Sequence, residues 1–203
     1  MTAYRVLRAV LGPVVRWFWR VEAVGVDLIP PGACVLAPNH DSLSDPFFVG
    51  AAVPRPLRFL TKAELFRFPL APIISSLGAI PVRRGESDRG AIASAVAAVQ
   101  AGDTVVIHPQ GTVLGAPDRP WRRGAARVAI EAGVPLVPVC LIDTDQVLRP
   151  RTKRIRRARV ALLVGEPIAV QAGEPDADAA AALTEEVRAA VEALRRSYRS
   201  AAR

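Results

Sequence analysis

Six short runs of apolar, largely β-branched residues, each bounded by turn formers, constrain the fold more than any other feature of this chain: 33–37, 57–61, 79–83, 104–108, 136–142 and 159–164. They are too short for helices and mostly lack the polar alternation of a half-exposed strand. They read instead as strands buried on both faces. Between several of them lie helical patterns, at 87–101 and 122–132, closed by Gly102 and Gly133 in the helix-stop position. That alternation predicts an α/β sheet covered by helices. From about residue 176, Leu183, Val187, Val191, Leu194 and Tyr198 fall on one stripe, with acidic residues early and arginines late, which predicts a terminal docking helix. A length of 203 residues with 51% hydrophobic content suits a single core. The expected organisation is an amphipathic helix over 1–20 followed by one domain over 21–203.

Residues 4–20 repeat apolar side chains at helical spacing and carry Arg5, Arg8, Arg16 and Arg20 among Trp17, Phe18 and Trp19. This pattern fits a helix lying in a membrane interface, and equally a helix packed on the core. Arginines interrupt it too often for a secretory leader. The longest charge-free apolar stretch, 70–82, is short for a spanning helix and is broken by prolines and a glycine. Cys34 and Cys140 have neither the spacing of a zinc site nor that of a disulfide framework, which fits a reducing compartment. A net charge of +8 favours a polyanionic partner. The densest cationic run comprises Arg149, Arg151, Lys153, Arg154, Arg156, Arg157 and Arg159. It suits phosphate backbones or anionic headgroups, but it has no nucleic-acid reader motif and no interleaved aromatics, so an anionic membrane surface is expected and nucleic acid is not.

The chain has two histidines, and one lies in Ala37-Pro38-Asn39-His40-Asp41-Ser42-Leu43-Ser44-Asp45-Pro46, directly after a predicted strand. Five residues along a straight helix turn through about 140°, so His40 and Asp45 meet only if a loop enters a helix near Pro46. An imidazole whose Nδ1 proton is held by a carboxylate keeps Nε2 free as a general base. The same residues also fit a plain structural role, with Asp45 as a helix cap and His40 as a satisfied turn residue.

Asn39-His40 with Asp45 resembles the H-x-x-x-x-D signature of the glycerolipid acyltransferases, and other blocks follow in family order. Lys62-Ala63-Glu64-Leu65 is similar to the K-x-E-L block. Gly78-Ala79-Ile80-Pro81-Val82-Arg83-Arg84 is similar to the second motif, with its arginine at Arg84. His108-Pro109-Gln110-Gly111-Thr112-Val113 aligns with F-P-E-G-T-R, and residues 134–139 and 160–168 resemble the closing blocks. The resemblance is to the 1-acylglycerol-3-phosphate acyltransferases. It implies a single α/β domain with a mixed sheet, with His40 and Asp45 as catalytic residues. It also implies a substrate-binding set of Asn39, Lys62, Arg84, Gln110, Gly111 and Thr112. Transfer would be direct, from acyl-CoA or acyl-carrier protein to a lipid hydroxyl, without metal or resident cofactor, at the cytoplasmic face of the cell membrane. Two departures bear on the acceptor. Gln110 keeps one acceptor oxygen of the family glutamate but not its charge, and Val113 removes a cation. An acyltransferase for a different, phosphate-free or natural-product acceptor, or a non-catalytic lipid-binding homologue, therefore stands beside the leading expectation. The backbone N–H groups at the start of the helix after His40 are the expected oxyanion donors.

Overall fold

The apolar runs pair into one mixed sheet. The computed structural model describes residues 2–66, 71, 74–75, 78–82, 89–111, 120–148 and 154–201. In chain order the elements are α1 (Thr2–Phe18), β1 (Glu22–Val24), β2 (Cys34–Pro38), α2 (Asp45–Ala52), β3 (Leu57–Lys62) and β4 (Ile80–Val82). There follow α3 (Arg89–Gln100), β5 (Thr104–Val106), α4 (Gly124–Ala132), β6 (Leu136–Ile142), α5 (Thr144–Val147), β7 (Ala161–Val164) and α6 (Ala177–Ala201). The strand order is β1-β7-β6-β2-β5-β3-β4, and every neighbouring pair is parallel except β6–β7.

Every residue of β2 and β6 is buried, which explains why these strands read as unbroken apolar runs. Along β2, Cys34 and Leu36 pack with Phe48 and Val49 of α2 on one face, while Val35 and Ala37 pack with α3, α4 and α6 on the other. This is the two-residue period of a strand with a core on each side. Gly133 ends α4 at φ 63°, and a Cβ there would lie 2.6 Å from the Ala172 methyl, so the stop needs glycine for both conformation and space.

Several boundaries differ from the sequence expectation by one or two residues, and one strand was not expected. β5 ends at Val106: the Ile107 N–H still reaches the Leu36 carbonyl at 3.0 Å, but His108 already opens a turn. β7 begins at Ala161, two residues later than the apolar run. β1 was not expected; it is three residues long and pairs with β7, where the Glu22 N–H donates to the Val160 carbonyl at 2.9 Å.

The N-terminal segment forms a helix that packs on the core along one stripe only. Tyr4, Arg8, Gly12, Val15 and Trp19 form a buried or half-buried stripe on the α2 side, at spacings of three and four residues. The opposite stripe leaves Val6, Val10, Val14 and Trp17 more than half exposed. No described helix is long and apolar enough to cross a membrane.

Candidate active site

Because β2, β3, β5 and β6 run parallel, the segments that follow them emerge at one edge of the sheet, where sites of open α/β folds form. Asn39, His40 and Asp41 follow β2, and His108 to Gly111 lie just beyond neighbouring β5. The bend required for His40 to meet Asp45 is present. Asp45 is the first residue of α2, and its Oδ2 accepts the His40 Nδ1 proton at 2.8 Å and the Ser42 N–H at 2.9 Å. Asp45 is fully buried, and its Oδ1 has no hydrogen-bond partner. A buried carboxylate can only accept, so Nδ1 carries the proton and the Nε2 lone pair is left for chemistry.

His40 is held by its surroundings as well as by its ring. The amide of Asn39, only 2% exposed, pairs with the Leu141 backbone of β6: Nδ2 donates to the carbonyl at 3.0 Å, and Oδ1 accepts the N–H at 2.6 Å. Its other Nδ2 proton goes to Asp41 Oδ2 at 2.8 Å. Both amide N–H groups are thus bonded within the protein, and Asn39 fixes the loop to the sheet. The His40 backbone N–H donates to Gln110 Oε1. Gln110 lies in a turn closed by the Gly111 N–H on the His108 carbonyl at 3.0 Å, with Gly111 at φ 69°. The one acceptor oxygen that glutamine shares with glutamate is therefore used to hold the His40 backbone.

His108, which replaces the family phenylalanine, stacks on His40 with ring centroids 4.2 Å apart and planes at 25°. Its Nδ1 donates to the Asn39 carbonyl at 3.1 Å, and its Nε2 is buried without a partner. Burial, and next the charge of His40, pull its pKa down to about 4. Neither nearby serine is a free nucleophile. The Ser42 hydroxyl donates to the Leu148 carbonyl at 2.9 Å and lies 2.8 Å from that of Ser44.

The N–H groups expected to stabilise an oxyanion are largely engaged. Those of Ser42 and Ser44 bond Asp45 Oδ2 and Ser42 Oγ, and those of Asp45 and Phe47 bond the Ser42 and Ser44 carbonyls. The entry to α2 is spent on building the dyad, so it does not supply that function. Lys62 closes β3, while Arg84, Thr112 and Val113 lie outside the described residues.

Beside the dyad, starting from Pro46, an apolar cavity of about 260 Å³ lies between α1, α2 and β3, lined among others by Leu11, Val15, Phe47, Ala51 and Phe59. The Tyr4 hydroxyl is buried there without a partner, and burial pushes its pKa up to about 12 against the opposing pull of Arg8. Sequence reasoning missed the bond of the Ser42 N–H to Asp45 and the bond that Arg195, far along the chain where no local pattern marks it, donates to Asp41 Oδ2 at 2.8 Å.

Comparison with known proteins gives the family and the fold. The Acyltransferase family matches residues 20–142. A chloroplastic 1-acyl-sn-glycerol-3-phosphate acyltransferase of Brassica napus is 25% identical over 162 residues, covering 74% of this chain and 46% of that protein. The 1-acyl-sn-glycerol-3-phosphate acyltransferase of Bacillus subtilis is 27% identical over 155 residues, covering 74% and 75%. The match thus spans about half the length of the plant relative and three quarters of the bacterial one. The crystal structure of a 1-acyl-sn-glycerophosphate (LPA) acyltransferase from Thermotoga maritima shares the fold, with a TM-score of 0.71 and 23% identity, over 93% of this chain and 81% of that one.

Proposed function

The chain belongs to the acyltransferase family, and from that premise we propose that it moves a fatty acyl group from acyl-CoA or acyl-carrier protein to the hydroxyl of 1-acylglycerol-3-phosphate, giving phosphatidate. The observation that carries this reading is the His40–Asp45 dyad beside an apolar cavity. The acceptor hydroxyl gives its proton to His40 Nε2 as its oxygen bonds to the thioester carbonyl carbon. The tetrahedral intermediate then expels the thiolate, which takes the proton back from His40. Asp45 holds the tautomer throughout and balances the transient positive charge. Arg84 and Lys62 meet the acceptor phosphate, the guanidinium through paired N–H groups. Gln110, Gly111 and Thr112 complete the proposed acceptor-binding set.

The test is transfer of a labelled acyl group, from each donor in turn, to lysophosphatidate in anionic vesicles, with a phosphate-free lyso-lipid in parallel. Phosphatidate is the expected product, with the phosphate-free acceptor slower by at least about tenfold, since it forgoes the charge-assisted bonds. Equal rates on both would overturn the lysophosphatidate assignment and favour a different acceptor. Binding of either substrate without any turnover would point to the non-catalytic homologue.

The proposed setting is peripheral, on the cytoplasmic face of a membrane. The exposed stripe of α1 supports it, as does the way the basic run meets that helix. The Arg157 guanidinium lies 6.0 Å from the Trp17 ring and 5.4 Å from the Phe18 ring, and its Nε donates to the Phe18 carbonyl at 2.9 Å. Leu43 and Phe47, next to the dyad, are exposed as well. Trp17 is 73% exposed, so Trp17→Ala costs the fold little while removing an interfacial anchor. Vesicle sedimentation is expected to show roughly tenfold weaker binding to anionic vesicles, the scale of losing part of one aromatic burial. Unchanged binding would remove α1 from the contact surface.

A further inference from the structure

We propose that Arg195, on the terminal helix α6, is a positioning residue for His40, acting through Asp41; the idea rests on the catalytic reading of His40 given above. The three residues between β2 and the Ser42 turn are each held by a different part of the fold. Asn39 is fixed to β6 and the His40 backbone to the turn after β5, whereas Asp41 is fixed to α6, where Arg195 donates to Asp41 Oδ2 at 2.8 Å. The same oxygen accepts the Asn39 amide at 2.8 Å, so the two residues flanking the base are bonded to each other and Arg195 closes the arrangement. Helix α6 ties down its surroundings in the same stretch. The Tyr198 hydroxyl donates to Glu22 Oε2 at 2.9 Å, and Arg199 lies 4.0 Å from Asp143, the residue that follows β6. Arg195 and Asp41 are about one third exposed, and pairs of that kind add little to stability. Their effect falls instead on the precision with which the loop between them holds its ring.

Arg195 lies beyond the residues matched to the family, and 154 positions separate it from Asp41. Losing it leaves the Asp41 carboxylate on the Asn39 amide alone and free to turn toward water. A misplacement of the order of 1 Å at a general base costs up to about 100-fold in rate.

The experiment compares Arg195→Ala, Asp41→Ala, the double variant and Arg195→Lys in the vesicle transfer assay. It is paired with NMR of the histidine rings, which give only two sets of signals because the chain has two histidines; His108→Phe assigns them. Each alanine variant is expected to lower kcat roughly tenfold, with KM for both substrates little changed and Tm within about 4 °C. The double variant should be no slower than the slower single one, and Arg195→Lys should recover most of the rate. The His40 ring signal should move or broaden in both single variants. Unchanged kcat, additive losses, or a fall in rate that matches a fall in folded protein would overturn the proposal. A protein with no transferase activity on any acceptor would instead defeat the functional reading. The ring signals would still decide, in that case, whether Arg195 orders the loop.

Discussion

Asp45→Asn is expected to lower kcat by roughly 10²- to 10⁴-fold, close to the loss from His40→Ala, while leaving a folded protein. Oδ2 of Asp45 accepts two protons, one from His40 Nδ1 and one from the Ser42 backbone. An asparagine can place its single oxygen there and keep both bonds. Its NH₂ group then takes the place of Oδ1, which is buried and partnerless, so two donor protons are stranded. With the amide turned the other way, the NH₂ faces the Ser42 N–H and the imidazole. The ring must then present a bare Nδ1 and carry its proton on Nε2, the tautomer that cannot act as base. In either orientation the negative charge that balances the protonated ring is gone. Steady-state kinetics, with far-UV circular dichroism to show the fold intact, checks this. A folded Asp45→Asn protein within about tenfold of the parent would show that His40 works without its carboxylate, and the proposed mechanism would fall.

The parts of the site that lie close along the chain were legible in the sequence. His40 and Asp45 needed a bend, Pro46 stood where a helix could begin, and α2 does begin at Asp45. The buried strands were equally plain, because β2 and β6 lie between two layers and admit almost no polar side chain. β1 escaped notice because three partly exposed residues make no pattern; its existence depends on the partner strand β7. Gln110 was legible as a lost charge but not as a bond to the His40 backbone, which spans 70 positions. The ion pair of Arg195 with Asp41 was beyond reach for the same reason. An arginine late in a helix reads first as a partner of the helix dipole, and only the fold brings it to the loop that carries His40.

The second large effect concerns acid stability, and it arises from His108. An unfolded-chain histidine titrates near 6.5, whereas His108 in the folded protein does so at about 4, chiefly because it is buried and next because His40 lies against it. Between those values the unfolded chain takes up a proton that the native site refuses. Stability from this residue is therefore fully present above pH 6.5 and is lost as the pH falls toward 4. The loss approaches roughly 3 kcal/mol at the acid end and is about 2 kcal/mol by pH 5. His108→Phe should abolish that part of the acid sensitivity. It gives up the Nδ1 bond to the Asn39 carbonyl and relieves the partnerless Nε2, but both changes are independent of pH across this window and cancel when one protein is compared at two pH values. Denaturant unfolding at pH 7.5 and pH 5 should show the parent losing about 2 kcal/mol more than the variant. The carboxylates are common to both proteins and largely subtract out. Equal losses would mean that His108 accepts its proton in the folded state. The stacked pair would then hold two positive charges 4.2 Å apart whenever His40 is protonated, an arrangement unsuited to a general base. A difference of the expected size means that His108 stays neutral at working pH, so His40 can take the acceptor's proton with no second cation pressed against its ring.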